Sequence, residues 1–111
     1  MYKEQMYEEY FAARVAALRE LKGVSAREMS LSIGQNTGYI NYIENGKALP
    51  SMSGFFYICE YLGVSPSEFF DLDNKNPQEL RGIISNLKRL TPKQLESISV
   101  IVNDLANSVH P

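Results

Sequence analysis

SAREMSLSIGQNTGYINYIENG, residues 25–46, reads as two short helices joined by a tight glycine turn. Ser25-Ala26-Arg27-Glu28 is a helix start, since the Ser25 hydroxyl can accept a free backbone N–H while Glu28 reaches back. Gly34 can take the left-handed conformation that ends a helix. Asn36 is then expected to cap the second helix, which leaves only Gly34 and Gln35 between the two. At 100° per residue from Thr37, the residues Thr37, Asn41, Asn45, Gly38 and Tyr42 fall between roughly 0° and 140°, while Ile43 and Ile40 fall near roughly 240° and 300°. One side of the second helix is built for burial and the other for contact with something polar.

The neighbouring stretches carry their own signals. RVAALRELKGVS leads into the motif, YINYIENGKALPS follows it, and ICEYLGVSPSEFF closes the region with two further short helices. Taken in order, these residues make the segment from Arg14 to Phe70 resemble the five-helix, lambda-repressor-like DNA-binding domain of the phage repressor and Cro (XRE-like) family. The resemblance covers about half the chain and rests on some fifteen ordered positions, which is far more specific than one short pattern.

Outward from the motif, spacing and caps predict an all-α chain of seven helices. Helix one spans roughly residues 4–21, with Phe11, Val15 and Leu18 expected to face Met29, Ile33, Ile40 and Ile43. Ser51 caps a fourth helix with Phe55, Ile58, Cys59 and Leu62 inward. Ser65-Pro66-Ser67-Glu68 opens a fifth through a capping box with proline in its first turn. DLDNKNP, residues 71–77, has no periodicity and marks a boundary. Asn76-Pro77-Gln78-Glu79 and Thr91-Pro92-Lys93-Gln94 open two more helices, whose apolar stripes are Leu80, Ile83, Ile84, Leu87, Leu90 and Leu95, Ile98, Val102, Leu105, Val109. The expected organisation is an N-terminal helix extension (1–10), a DNA-binding domain (11–72), a linker (73–76) and a C-terminal helical hairpin (77–109). Such a hairpin cannot bury both stripes by itself. It is expected to pack on its own domain, with help from Tyr2, Met6, Tyr7 and Tyr10, or, the reading preferred, on a second protomer through Leu95, Ile98, Val102 and Leu105.

Composition bounds the chemistry. A hydrophobic content of 44% suffices for a core, and no apolar run approaches the roughly 20 residues of a membrane span. With no secretory signal visible at the start, a soluble cytoplasmic protein is expected. Cys59 is the single cysteine, which excludes an intrachain disulfide and a cysteine metal cluster, and it is read as a core residue. The sole histidine, His110, lies next to the end, and no nucleophile–base pair, phosphate-cradling loop or metal-ligand spacing is present, so catalysis, metal and cofactor are not expected. Phe55, Phe56, Tyr57 and Tyr61 are read as core filling rather than a ligand pocket, and no small-molecule ligand is expected.

The net charge of −2 and pI of about 5.4 argue against a nucleic-acid partner. The excess is local, since residues 1–10 carry Lys3 against Glu4, Glu8 and Glu9, whereas residues 11–70 and 71–111 each balance five basic with five acidic side chains. Few cations must therefore do the work, with Arg27, Lys47, Asn36, Asn45 and backbone N–H groups as phosphate contacts.

The resemblance implies a sequence-specific transcriptional regulator, preferably a repressor, whose second motif helix enters the major groove while a homodimer reads a palindromic operator with half-sites roughly 34 Å apart. It places Thr37, Gly38 and Tyr42 at the family's base-reading positions, with Asn41 on the same face. Ala26 stands where many relatives clamp a phosphate with glutamine, which leaves only its backbone N–H; Tyr39 is either a core edge or a backbone contact. Ser30 replaces a common alanine and is small enough for a close helix crossing. Arg19 and Glu44 match an internal ion pair of phage repressors. The alternative is a helix-turn-helix interaction module, an antitoxin or anti-repressor, with DNA binding weak or lost; near-neutral charge and a second helix without arginine or lysine favour it.

Overall fold

Local caps decide where most helices begin in the computed structural model, which describes residues 4–108, with side chains from Met6 onward. The expectations for Tyr2, Val109 and His110 lie outside the described residues. Among those residues there are seven helices and no strand: α1 Glu4–Lys22, α2 Ala26–Ser32, α3 Tyr39–Glu44, α4 Met52–Leu62, α5 Pro66–Phe70, α6 Pro77–Leu87 and α7 Pro92–Ser108. Ser51 Oγ accepts from Gly54 N–H at 3.0 Å and starts α4. At α5 the capping box is complete, because Ser65 Oγ accepts from Glu68 N–H and the Glu68 carboxylate accepts from Ser65 N–H at 2.8 Å. At α2 only half of it forms among the described residues. Ser25 Oγ accepts from Glu28 N–H at 3.0 Å, and the exposed Glu28 carboxylate makes no return bond.

The chain divides into two compact units, residues 1–78 and 79–111. The first is built on one core: Val15 and Leu18 of α1, Met29 of α2, Ile40 and Ile43 of α3, Phe55, Ile58, Cys59 and Leu62 of α4, then Val64 and Phe69. Phe11, Val24, Ala26, Ile33, Tyr39 and Tyr61 pack against its rim. Phe69 is its aromatic centre, with ring centroids 5.0 Å from Phe11 and 5.1 Å from Phe55, the latter edge-on. Burial pushes the Cys59 thiol up to about 11, so it stays protonated and acts as a small apolar residue. The aromatic crowding on α4 resolves differently from expectation. Phe55 is buried and Tyr61 half-buried, but Phe56 and Tyr57 are exposed. They sit on the helix face opposite Phe55, Ile58, Cys59 and Leu62, where there is no core to fill.

Arg14 is a second departure. It occupies the apolar stripe of α1 between Phe11 and Leu18, is 5% exposed, and donates to four carbonyls: Nε to Phe69 at 2.6 Å, and Nη2 to Glu68, Asp71 and Asn74 at 2.7, 3.0 and 3.0 Å. It thereby ties the last carbonyls of α5 and the turn after it to α1, sharing the Glu68 carbonyl with the Asp71 N–H and the Asp71 carbonyl with the Asn74 N–H. Burial lowers its pKa from the ordinary arginine value, and the nearby Asp71 charge partly opposes this.

The second unit begins inside α6 and contains α7. Thr91 and Gln94 form a reciprocal cap, with Gln94 N–H donating to Thr91 Oγ1 at 3.2 Å and Thr91 N–H to Gln94 Oε1 at 3.0 Å. No residue of α7 is buried. Leu80, Ile83 and Ile84 of α6 and Leu95, Val102 and Leu105 of α7 are all exposed, with Ile98 half-buried. No helix among the described residues is long and apolar enough to cross a membrane.

Candidate nucleic-acid interface

The segment from Asn36 to Asn45 is anchored from behind at both ends. Ser30 is fully buried at the crossing of α2 and α3, where its Oγ donates to the Ala26 carbonyl at 2.7 Å and accepts from the Ile40 N–H at 2.9 Å. One of the free N–H groups at the start of α3 is thus satisfied by a residue of the preceding helix. The hydroxyl does more than fit a tight crossing. Ser30→Ala leaves that buried N–H unpaired and is expected to cost about 1–3 kcal/mol, or on the order of 10 °C in melting temperature by thermal circular dichroism. Ser30→Thr keeps the hydroxyl but adds a methyl where there is no room, so it is not expected to restore stability.

At the other end Arg19 of α1 grips Glu44 of α3 bidentately, Nε to Oε2 at 2.6 Å and Nη2 to Oε1 at 2.9 Å, while Nη1 donates to the Val24 carbonyl at 2.9 Å. The hydrogen bond from Arg19 to Glu44, reinforced by the Glu44 and Glu20 charges, outweighs burial and raises the Arg19 pKa. Two glycines bracket the unit. Gly34, at φ 78°, lets Gln35 N–H fold back on the Ser30 carbonyl at 2.9 Å, and Gly46, at φ 72°, lets Lys47 N–H reach the Tyr42 carbonyl at 3.2 Å.

The start of α3 corrects one expectation. Asn36 does not cap the helix: its Oδ1 accepts from Gly38 N–H at 3.1 Å and its carbonyl from Tyr39 N–H at 3.2 Å, so it closes a turn, and Gly38 is the residue before the first helical turn. Asparagine bonds equally well to a backbone two residues on in either setting. Thr37 and Gly38 therefore stand in that turn, and the helical wheel holds only from Tyr39 onward.

Burial on α3 is one-sided. Ile40 and Ile43 are buried, while Thr37, Gly38, Asn41 and Tyr42 are exposed, as are Asn36, Asn45, Arg27 and Lys47. Ala26 and Tyr39 are half-buried against the core. Tyr39 carries its hydroxyl over the start of α4, so close that a Cβ on Gly54 would lie 2.7 Å from it, and burial raises its pKa. Cations are sparse on this surface. Of the five in residues 11–70, Arg14 is buried, Arg19 is paired with Glu44, and Lys22 lies 4.8 Å over the Tyr61 ring. Arg27 and Lys47 are left, with the Lys47 ammonium 5.9 Å from the Tyr42 ring. The bond from Ile40 to the Ser30 hydroxyl, and the ties of Arg14 to the end of α5, are the supports that sequence reasoning missed. A charge inside the stripe Phe11–Val15–Leu18 was the available sign for Arg14, while nothing local marks the bond between Ser30 and Ile40. Among the described residues no cluster of histidine, cysteine, aspartate or glutamate is arranged for a metal.

No curated protein and no solved structure matches the chain. Residues 15–69 match the family described as Helix-turn-helix, a span running from the middle of α1 to the end of α5 and containing Ser30, Glu44 and the exposed flank of α3. Through that domain the chain belongs to the Cro/repressor-type helix-turn-helix family of DNA-binding regulators.

Proposed function

We propose that the protein is a sequence-specific transcriptional repressor that acts in the cytoplasm as a homodimer, placing the Thr37–Asn45 segment of each protomer in the major groove of one half of a palindromic operator. The observation that carries this reading is the exposed polar flank of α3, held rigidly by Ser30 and by the Arg19–Glu44 pair. Thr37 offers a methyl to thymine and a hydroxyl to a base edge, Asn41 suits adenine, and Tyr42 contributes one phenolic hydroxyl. Gly38 lets the backbone approach the bases closely. Arg27, Lys47, Asn36, Asn45 and the Ala26 N–H serve the phosphates, with Tyr39 limited to its exposed edge. No arginine or glutamine stands on this flank for bidentate base pairing, so part of the preference comes from DNA shape. The stripe of Leu95, Ile98, Val102 and Leu105, exposed except for the half-buried Ile98, supplies the dimer contact.

The test is selection from random duplexes, followed by titration of the selected site across salt concentrations. Arg27 and Lys47, the two cations of residues 11–70 left on this surface, imply about four phosphate charges neutralised by a dimer and a log–log salt slope of about −4. Lys47→Ala is expected to weaken all sites alike and reduce that slope by about one for each phosphate contact removed. Asn41→Ala is expected to relax preference at one position per half-site, by about 1–3 kcal/mol. The paucity of free cations is also what favours the rival, a protein-interaction module. No selected site together with salt-independent retention on DNA would decide for it.

A further inference from the structure

Within the first unit an open cleft of about 470 Å³ is walled by rings from α1, α4 and α5, with Tyr10, Phe11, Phe55 and Phe70 around it, Met52 at its edge and Arg14 among its lining. Two of these side chains are left open to an unusual degree, Phe70 at 60% and Met52 at 69% exposed. Phe70 still lies 5.4 Å from Phe55 and 6.4 Å from Phe11 by ring centroids, so the wall is built in place. The volume falls in the range of about 300–1,000 Å³ typical of small-ligand sites.

Arg14 gives this cleft a polarity. Its Nε and Nη2 are committed to two carbonyls at the end of α5 and two in the segment after it, but among the described residues Nη1 has no hydrogen-bond partner and no carboxylate forms an ion pair with the guanidinium. No fully buried side-chain nitrogen is without a partner, so Nη1 is not sealed from solvent, and Arg14 lines this cleft. A neutral hydrocarbon would fill the walls and leave Nη1 without an acceptor, the guanidinium being met only by the four carbonyls and by the nearby Asp71 charge. A small inorganic anion would answer the cation and leave the rings wet.

We propose that the cleft binds a small apolar carboxylic acid, an aryl- or alkyl-substituted carboxylate, with its anionic end on Arg14 Nη1 and its hydrocarbon body against Tyr10, Phe55, Phe70 and Met52. A charge-assisted bond in a mostly apolar setting orients the ligand, and ring contact holds it. Binding does not depend on the DNA-binding reading. The loop that follows Lys47 leads into Met52, so an occupant would touch the segment joining α3 to α4.

The test is titration of the full ¹⁵N-labelled chain with 4-phenylbutyrate and, separately, with the neutral 4-phenylbutan-1-ol, read from amide and arginine Nε–H resonances. Shifts are expected to centre on Arg14 Nε–H and the amides of Tyr10, Met52 and Phe70, with the acid binding at least tenfold more tightly than the alcohol. Arg14→Lys loses carbonyl contacts and can fail to fold, so Phe70→Ala and Met52→Ala serve as the variants, each expected to weaken acid binding severalfold while leaving the far-ultraviolet circular dichroism unchanged. Equal affinity for acid and alcohol, shifts confined to α6 and α7, or an unaltered affinity in Phe70→Ala would each overturn the proposal. So would loss of acid binding as protein concentration rises, which would make a second copy of the chain the occupant.

Discussion

Glu44→Ala will melt on the order of 15 °C below the natural chain, from a loss of about 3 kcal/mol, the lower end for removing one member of a buried pair. The lower end applies because the two side chains retain 16% and 11% exposure, so the stranded charge is partly hydrated. Three consequences share one cause. Arg19 keeps its bond to the Val24 carbonyl and a long ion pair with the exposed Glu20 at 4.0 Å, its Nε and Nη2 lose both Glu44 oxygens, and α3 loses its tie to α1. Glu44→Gln retains one acceptor without the charge and should fall between the two. The double variant Arg19→Met, Glu44→Leu removes the stranded cation altogether and should regain much of the loss, because well-packed apolar pairs often equal buried ion pairs in stability. Selected DNA sites measured well below the melting temperature should keep their sequence in Glu44→Ala, since the residue lies behind the exposed flank. Unchanged melting of Glu44→Ala would show that the pair does not hold α3.

The elements legible in the sequence were those whose determinants are local. Ser25, Ser51, Ser65 and Thr91 each sit three residues before the N–H they cap, so α2, α4, α5 and α7 could be placed to within a residue. The start of α3 was not, because its N–H partner is Ser30, ten residues back in another helix. Arg14 could be noticed as a charge in an apolar stripe, but its acceptors lie 54–60 residues along the chain. Arg19 and Glu44, 25 residues apart, were joined only by the resemblance to phage repressors. The polar flank of α3 was legible from the period of Ile40 and Ile43 alone. On α4, aromatic content was a poor guide to burial where position on the helix was a good one: Phe55 goes in and Phe56, its neighbour, stays out.

Ile98→Glu together with Val102→Glu should reduce affinity for a two-half-site operator by about 10²–10⁴-fold, the advantage that linking two binding modules confers. Affinity for an isolated half-site should not change, because both residues lie in the second unit and Ser30, Glu44 and the α3 flank lie in the first. The physical ground is the unburied stripe. A helix of 17 residues with no buried side chain has little tertiary support, and helices in proteins owe most of their stability to the packing of an apolar face. Its order therefore calls for an apolar partner, and the spacing Leu95, Ile98, Val102, Leu105 alternates three and four as a two-helix seam requires. Two carboxylates in the middle of that seam would face their own copies across a two-fold axis and repel while losing water. Ser97→Glu, on a different flank of α7, adds charge to the same exposed helix and should leave both assembly and affinity intact. Sedimentation equilibrium reads the assembly and gel shift reads the affinity. A doubly charged variant that remained dimeric would place the contact elsewhere, and a monomeric one with full operator affinity would show that a single protomer suffices.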